Sequence, residues 1–248
     1  MNSQRRARRV LAIDIGGSHV KVLLSGMKPG RDTERRMDSN PALTPAQMVK
    51  GVRAMTEGWG FDAVAMGYPG VVSHGQPSIE PHNLGKGWVK FDYTKALGKP
   101  VRIINDAAMQ AIGSYEGGRM LFLGLGTGLG SAMILNGVIA PMELGHLPYR
   151  KNHTFEEYVG IAGLARLGKK RWREAVFDVV ERLRVALEVE YVVLGGGNLA
   201  KLRNLPPGTR AGDNSNAFTG GFRLWNTEPW ASDLEHTAAP HRPRRSPK

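Results

Sequence analysis

Residues 10–24 read VLAIDIGGSHVKVLL and residues 120–135 read MLFLGLGTGLGSAMIL. Both have one grammar: an apolar run, a glycine-rich break, a second apolar run. Short apolar runs bounded by glycine are predicted strands, and breaks this short join them as hairpins. Glycine has no Cβ, so each tip exposes backbone N–H groups that no side chain covers. Such a concavity suits an anion. One hairpin opens each half of the chain. The repetition predicts a duplicated α/β architecture, two lobes with a cleft between them.

Working outward from the hairpins, the spacing predicts strands over 33–38, 63–67, 101–104 and 138–140, the last behind the turn Asn136-Gly137. Helices are predicted over 45–57 and over 107–115, the second behind the capping residues Asn105-Asp106. Residues 70–88 are loop-rich, with Pro77, Pro81, Gly85 and Gly87 as breakers. The helix expected over 169–187 puts Val176, Val180, Leu183 and Leu187 on one face. A strand over 191–194 then runs into Gly195-Gly196-Gly197, and a last short helix is expected over 214–225. The expected organisation is a basic extension (1–9), an N-terminal lobe (10–106), a C-terminal lobe (107–211), a helical region (212–231) packing back on the N-terminal lobe, and a disordered basic tail (232–248).

Composition narrows the chemistry. Of 248 residues, 32 are glycine, about twice the usual share, which marks tight turns rather than a repeat. Cysteine is absent, so thiol chemistry, disulfides and cysteine-ligated metals are excluded. No apolar run is long enough to span a bilayer and no leader is recognisable, so a cytoplasmic protein without membrane contact is expected. The formal charge is +12, but Arg5, Arg6, Arg8, Arg9, Arg242, Arg244, Arg245 and Lys248 supply eight of those charges at the ends. The body is mildly basic, which allows an acidic substrate.

Six groups of residues could carry chemistry. Gly16, Gly17 and Ser18 would admit a phosphate, and Asp14 beside them could hold Mg²⁺, through water, because that ion binds through one or two carboxylates and keeps several waters. Gly126, Thr127 and Gly128 form the second phosphate tip; no helix follows, so a dinucleotide fingerprint is ruled out. Asn105 and Asp106 lie at a strand end, where parallel sheets place ligands, and a carboxylate there could take a proton from a hydroxyl. Glu143 and His146 could bracket vicinal hydroxyls. Glu156 begins a further helix, where an acidic residue also suits the helix dipole. Gly195 and Gly196 could admit a nucleotide's base or phosphate.

The ordered set AIDIGGSHVK, GYPGVV, HNLGKGW, INDAAMQA, LGLGTGLGSA, ELGH and VLGGGN resembles the ROK family of sugar kinases over roughly residues 10–225. The resemblance implies the actin/hexokinase-like ATPase fold, with duplicated RNase H-like domains and a central cleft. It implies Asp106 as catalytic base and Asn83, Asn105, Asp106, Glu143, His146 and Glu156 around the sugar. Asp14, Gly16, Gly17, Ser18, Gly126, Thr127 and Gly128 would then bind phosphate, and Gly195 and Gly196 would stand on the nucleotide side. Family members commonly carry a cysteine-rich zinc motif after the Glu-x-Gly-His stretch. Here LPYRKNHTFEEYVG follows instead, so zinc in that form is excluded and His146 needs another partner. That departure, with GSYEGGRMLFLGLGTGLGSA, is similar to the polyphosphate-using glucokinase branch.

The implied activity is phosphoryl transfer from polyphosphate, ATP or both to the 6-hydroxyl of glucose, with Mg²⁺ and without zinc, in a homodimer that binds no nucleic acid. The rivals are an ATP-dependent hexokinase of other specificity, a sugar-responsive regulator and an RNase H-like nuclease. The regulator would need a DNA-binding segment before the first strand near residue 10, and the nuclease a cluster of acidic residues at a metal. A polyphosphate donor would want a cationic track; candidates are Lys86, Lys90, Arg150, Lys151, Lys169, Lys170, Arg171 and Arg173.

Overall fold

The structure, a computed structural model, describes residues 7–30 and 32–225. The expected tail 232–248 and most of the basic extension lie outside those residues. Strands β1 (Val10–Ile15) and β2 (His19–Leu24) form the first hairpin, with Asp14 opposite Lys21, and β3 (Arg35–Asp38) pairs beyond β2. Beside β1 run β4 (Ala63–Tyr68) and, after a small ribbon of β5 (Val72–Ser73) and β6 (Gln76–Pro77), β7 (Val101–Asn105). The sheet order is β3-β2-β1-β4-β7, with β1, β4 and β7 parallel. Leu11, Ala12 and Ile13 are all buried, because β1 is covered on both faces.

The second sheet repeats the first. Its order is β10-β9-β8-β11-β12, from β8 (Arg119–Leu125), β9 (Leu129–Leu135), β10 (Val138–Met142), β11 (Tyr191–Gly195) and β12 (Thr209–Ala211). Each sheet has its own outer cover. Ile13, Val20 and Val22 pack with Met48, Val49 and Val52 of α1 (Pro45–Met55) and with Tyr93 and Leu97 of α2 (Tyr93–Leu97). Thr44 and Gln47 cap α1 reciprocally, satisfying two of its orphan amides.

Between the sheets α3 (Asp106–Ser114) continues straight from β7 and lies on β8 and β9. On the second sheet's outer side, Leu121, Leu123 and Leu125 pack with Phe155 of α4 (Phe155–Val159) and with Trp172, Val176 and Leu183 of α5 (Ile161–Ala186). The last helix, α6 (Asn216–Arg223), follows β12 and lies on β1, β4 and α3. Each half thus lends a helix to the inner face of the other half's sheet. The two helices touch backbone to backbone. A Cβ at Gly113 would sit 1.8 Å from the Asn216 carbonyl oxygen, and one at Gly220 would sit 1.8 Å from that of Met109. Only glycine fits at either place.

The differences from the sequence reading are local. Helix α5 begins at Ile161 rather than Lys169; Gly168, at φ 73° and ψ 164°, breaks it where the reading started it. Strand β3 starts at Arg35 because the amides of Thr33 and Glu34 turn back onto the Gly30 carbonyl. Short α2 and β12 escaped detection. Among the described residues no helix is long and apolar enough to cross a membrane.

Candidate active site

The two glycine tips are built alike. Ser39, buried just past β3, donates its hydroxyl to the Gly16 carbonyl (2.6 Å) and its amide to that of Ser18 (2.9 Å). At the second tip Asn198 donates its side-chain amide to the Gly126 carbonyl (2.8 Å), and the Ile161 amide reaches the Thr127 carbonyl (3.0 Å). The carbonyls are thereby tied back. The amides of Gly17, Ser18, Thr127 and Gly128 make no hydrogen bond among the described residues. Free amides with occupied carbonyls give a local excess of positive potential, an anion nest. The tips face each other: a Cβ at Gly17 would lie 4.0 Å from the Thr127 hydroxyl oxygen and 3.7 Å from the Asn83 Cβ.

Beneath the tips stand two carboxylates. Asp14 is the last residue but one of β1 and Asp106 is the first residue of α3. Asn105 caps α3, accepting from the Ala108 amide (3.1 Å) while its own amide holds the Gly70 carbonyl (3.2 Å). Gly67 lets the helix start close to β4: a Cβ there would be 3.4 Å from the Asp106 Cα. Poor solvation raises Asp106 to about 7, with the charge of Asp14 adding and the Ala107 amide opposing. Poor solvation also raises Asp14 to about 6, with Lys21 opposing. A carboxylate that titrates near neutrality beside a cleft is suited to general-base work.

Of the other predicted residues, Glu143 acts on Asp106, Asn83 lies beside the Gly17 tip, and His146 pairs with Glu156 at the second tip. Glu80 accepts the amides of Trp88 (3.1 Å) and Val89 (3.2 Å), and the Tyr68 hydroxyl holds the Ile79 carbonyl (2.9 Å), which shapes the loop carrying Asn83. Ser131 accepts the Leu144 amide (3.0 Å) and donates to the Met142 carbonyl (2.8 Å), fixing the turn that presents Glu143 and His146. Glu143 adds to the field that raises Asp106. His146 finds its partner in Glu156, with Nε2 3.7 Å from Oε1. The Glu156 carboxylate lies against Gly128 and Gly145, where a Cβ would be 2.5 and 3.3 Å from its Oε2. Glu156 therefore ties the Glu143–His146 turn to the second glycine tip.

Residues 147–154, which take the place of the cysteine-rich motif, are held by charge and aromatic packing. Asp178 of α5 accepts from the Tyr149 hydroxyl (2.5 Å), Arg150 (3.0 Å) and Arg182 (2.9 Å). The Tyr149 ring packs edge-on against Tyr158 (4.8 Å). His153 pairs with Glu157 at 3.0 Å. This loop separates His146 from Glu156. Asp178→Ala is accordingly expected to raise KM for sugar about fivefold or more and to leave KM for the donor within twofold, since losing one charge-assisted contact is worth about 1–3 kcal/mol. Steady-state kinetics with each substrate varied checks this; equal effects on both substrates would contradict it.

Some predicted residues stand elsewhere. Gly196, at φ 85°, backs onto the second tip, where a Cβ would meet the Leu125 carbonyl oxygen at 2.4 Å. It supports the tip, and Asn198, missed in the sequence, is the residue of this turn that reaches it. Arg150 is committed to Asp178, and Arg173 donates to the Lys201 carbonyl (2.7 Å). Lys169, Lys170 and Arg171 are exposed on α5, on the sheet's outer side.

The ROK family model matches residues 10–156. The polyphosphate glucokinase of Mycobacterium tuberculosis (strain ATCC 25618 / H37Rv) is 27% identical over 208 residues, 77% of this chain and 78% of that one. The inorganic polyphosphate/ATP-glucomannokinase of Arthrobacter sp. strain KM superposes with a TM-score of 0.72 at 25% identity, covering 87% of this chain and 97% of that chain. A ROK family glucokinase from Streptomyces griseus, solved with glucose and AMPPNP, gives 0.69 at 15% identity over 87% and 98%. The fold is the actin/hexokinase-like ATPase fold.

Proposed function

Because the chain belongs to the ROK family, we propose that it is a sugar kinase that transfers the terminal phosphoryl group of inorganic polyphosphate, and also of ATP, to the 6-hydroxyl of glucose. The observation that carries this reading is the pair of anion nests facing each other near Asp14 and Asp106, with Asn105 and Glu143 next to Asp106, Asn83 at the first tip and His146 paired with Glu156 at the second. The polyphosphate and glucose parts rest on the likeness to the mycobacterial and Arthrobacter proteins.

In the transfer, Asp106 accepts the proton of the sugar hydroxyl as that oxygen bonds to phosphorus and the bond to the donor's leaving oxygen breaks. The free amides of Gly17, Ser18, Thr127 and Gly128 meet the charge on the phosphoryl oxygens, preorganised and close to a desolvated centre. Asn105 orients Asp106 through its cap. His146 and Glu143 hold the sugar hydroxyls.

The carboxylates suit Mg²⁺: two poorly solvated, mutually repelling oxygen donors are relieved by a hard dication. Among the described residues no group of three or more acidic, cysteine or histidine side chains could hold a metal. Mg²⁺ needs only one or two protein carboxylates when donor phosphates and water complete its shell. Asp14 would hold it, through water, and the bound ion would neutralise charge on the donor phosphates.

The reading is tested by measuring glucose 6-phosphate formation with polyphosphate and ATP side by side, and by repeating it with mannose. Turnover of glucose with polyphosphate is expected. Turnover with ATP alone would favour an ATP-dependent hexokinase on the same fold.

A further inference from the structure

The row of side chains that begins at Asp14 does not end there. Asp14 pairs with Lys21 on β2, and Lys21 pairs with Arg36 on β3. Directly opposed residues in an antiparallel sheet share a face, so the three stand side by side. Each strand step is about 5 Å, which puts Arg36 roughly 10 Å from Asp14's strand at the sheet edge. The opposite face, with Ile13 and Val22, is covered by α1. On the row's own face α6 packs chiefly over β1 and β4. The face of β2 and β3 is left as the floor of a groove of about 1110 Å³ that also reaches round the sheet edge to Arg35 and Met55; its far wall is Asp213–Ser215, just before α6.

The duplication says which side of the cleft this is. Helix α3 starts where β7 ends, and its first residues carry the acceptor side. Helix α6 follows β12, the strand equivalent to β7 in the second sheet, and the residues before it wall the groove. The groove is therefore the donor-side counterpart of the sugar pocket.

The Lys21 charge acts on Asp14, but no short ion pair holds either cation of the row. Neither Lys21 nor Arg36 makes a hydrogen bond or ion pair among the described residues, and Arg36 is exposed. Arg35, by contrast, lies over the Trp59 ring at 4.7 Å and donates to the Met55 carbonyl (2.5 Å). Of the acidic neighbours, Asp213 accepts the Ser215 amide (2.7 Å) on the far wall, Asp38 of β3 pairs with His19 (3.4 Å), and Glu34 lines the groove and acts on Asp14, so Lys21 and Arg36 stand against Glu34 on the near side.

We propose that this groove is the track for a linear polyphosphate donor, in which Lys21 and Arg36 contact phosphates behind the one being transferred. The inference rests on the sugar-kinase reading for the identity of the transferred group. It differs from the positions the sequence suggested, because the cationic row is formed by strand pairing between residues far apart in sequence. A row of cations leading outward to an open edge takes a linear polyanion of any length, whereas a nucleoside triphosphate ends in a neutral base after three phosphates.

The test compares wild type with Arg36→Ala and Arg36→Glu, using long-chain polyphosphate, tripolyphosphate and ATP as donors. Arg36 has no side-chain partner among the described residues, so thermal stability, KM for glucose and kcat with ATP should stay unchanged. KM for long polyphosphate should rise about fivefold in the alanine variant and further in the glutamate variant, with less change for tripolyphosphate and ATP; one exposed ion contact is worth up to about 1 kcal/mol. Its dependence on salt should weaken in both variants. An unchanged KM for long polyphosphate in Arg36→Glu, or an equal rise for all three donors, would overturn the proposal. Calorimetric binding of polyphosphate without sugar separates the two readings. A wild type that binds long polyphosphate through Arg36 but transfers nothing from it refutes the donor assignment alone. A wild type that transfers from it while Arg36→Glu binds equally well refutes the groove alone.

Discussion

Asp106→Asn is expected to lower kcat by about 10²–10⁴-fold while sugar binding stays within a few-fold. The amide keeps the shape of the side chain and can still accept the Ala107 amide hydrogen, which Asp106 takes at 2.8 Å. It cannot accept the hydroxyl proton at neutral pH. The same change should stabilise the ligand-free protein, and the sign follows from the direction of the shift. Asp106 is raised to about 7, chiefly by poor solvation and then by the charge of Asp14. A carboxylate raised on folding contributes stability below its unfolded pKa and loses it as pH rises through the folded value. Asparagine never ionises, so the variant's advantage should grow from about pH 4 to about pH 7 and then level off, at up to about 4 kcal/mol. Melting curves at pH 5 and pH 8 read this as a gain at pH 8 of several degrees, at roughly 2–4 °C per kcal/mol. In the wild type kcat/KM should fall as pH drops below about 7, because the base works ionised. Near wild-type kcat in the variant, or a lower melting temperature at pH 8, would contradict the role and the environment assigned to Asp106.

Gly220→Ala is expected to be, with Gly113→Ala, among the most damaging small substitutions in the body of the protein. The added methyl would lie 1.8 Å from the Met109 carbonyl oxygen and 3.0 Å from the Gly113 nitrogen, both backbone atoms that no rotamer change can move. Helices α3 and α6 must separate. Overpacking typically costs about 1–3 kcal/mol, and more where backbone must shift. A loss of at least about 6 °C in melting temperature follows for a chain of this size. Activity should fall with it, because α3 carries Asn105 and Asp106 at its start. A variant that melts within two degrees of wild type would show that the helices do not cross as described.

Much of this was legible because hairpin tips and strand ends are local features. Apolar runs marked β1, β2, β8 and β9, and the glycines between them marked the tips. Asn105-Asp106 was readable as a helix start at a strand end. What made the tips anion nests was not local. Ser39 ties back the first tip from beyond β3, and Asn198 and Ile161 tie back the second from two other elements. No spacing rule announces such pairings. The partner of His146 was equally hidden: Glu156 is ten residues away, across a loop that Asp178 anchors from α5. Nothing in the sequence singles out Arg36; strand pairing puts it beside Lys21. Gly168 misled in the other direction, since a glycine in a charged stretch reads as the end of a loop, and here it is a kink between two helical segments.

The central claim is that the cleft delivers a phosphoryl group to a sugar in preference to water. ³¹P NMR of the protein with glucose, Mg²⁺ and either polyphosphate or ATP measures this directly. The account predicts a sugar-phosphate resonance that grows in step with loss of the donor's terminal phosphate, with little inorganic phosphate. Release of the terminal phosphate as inorganic phosphate alone, or no reaction with either donor across glucose and mannose, would contradict it.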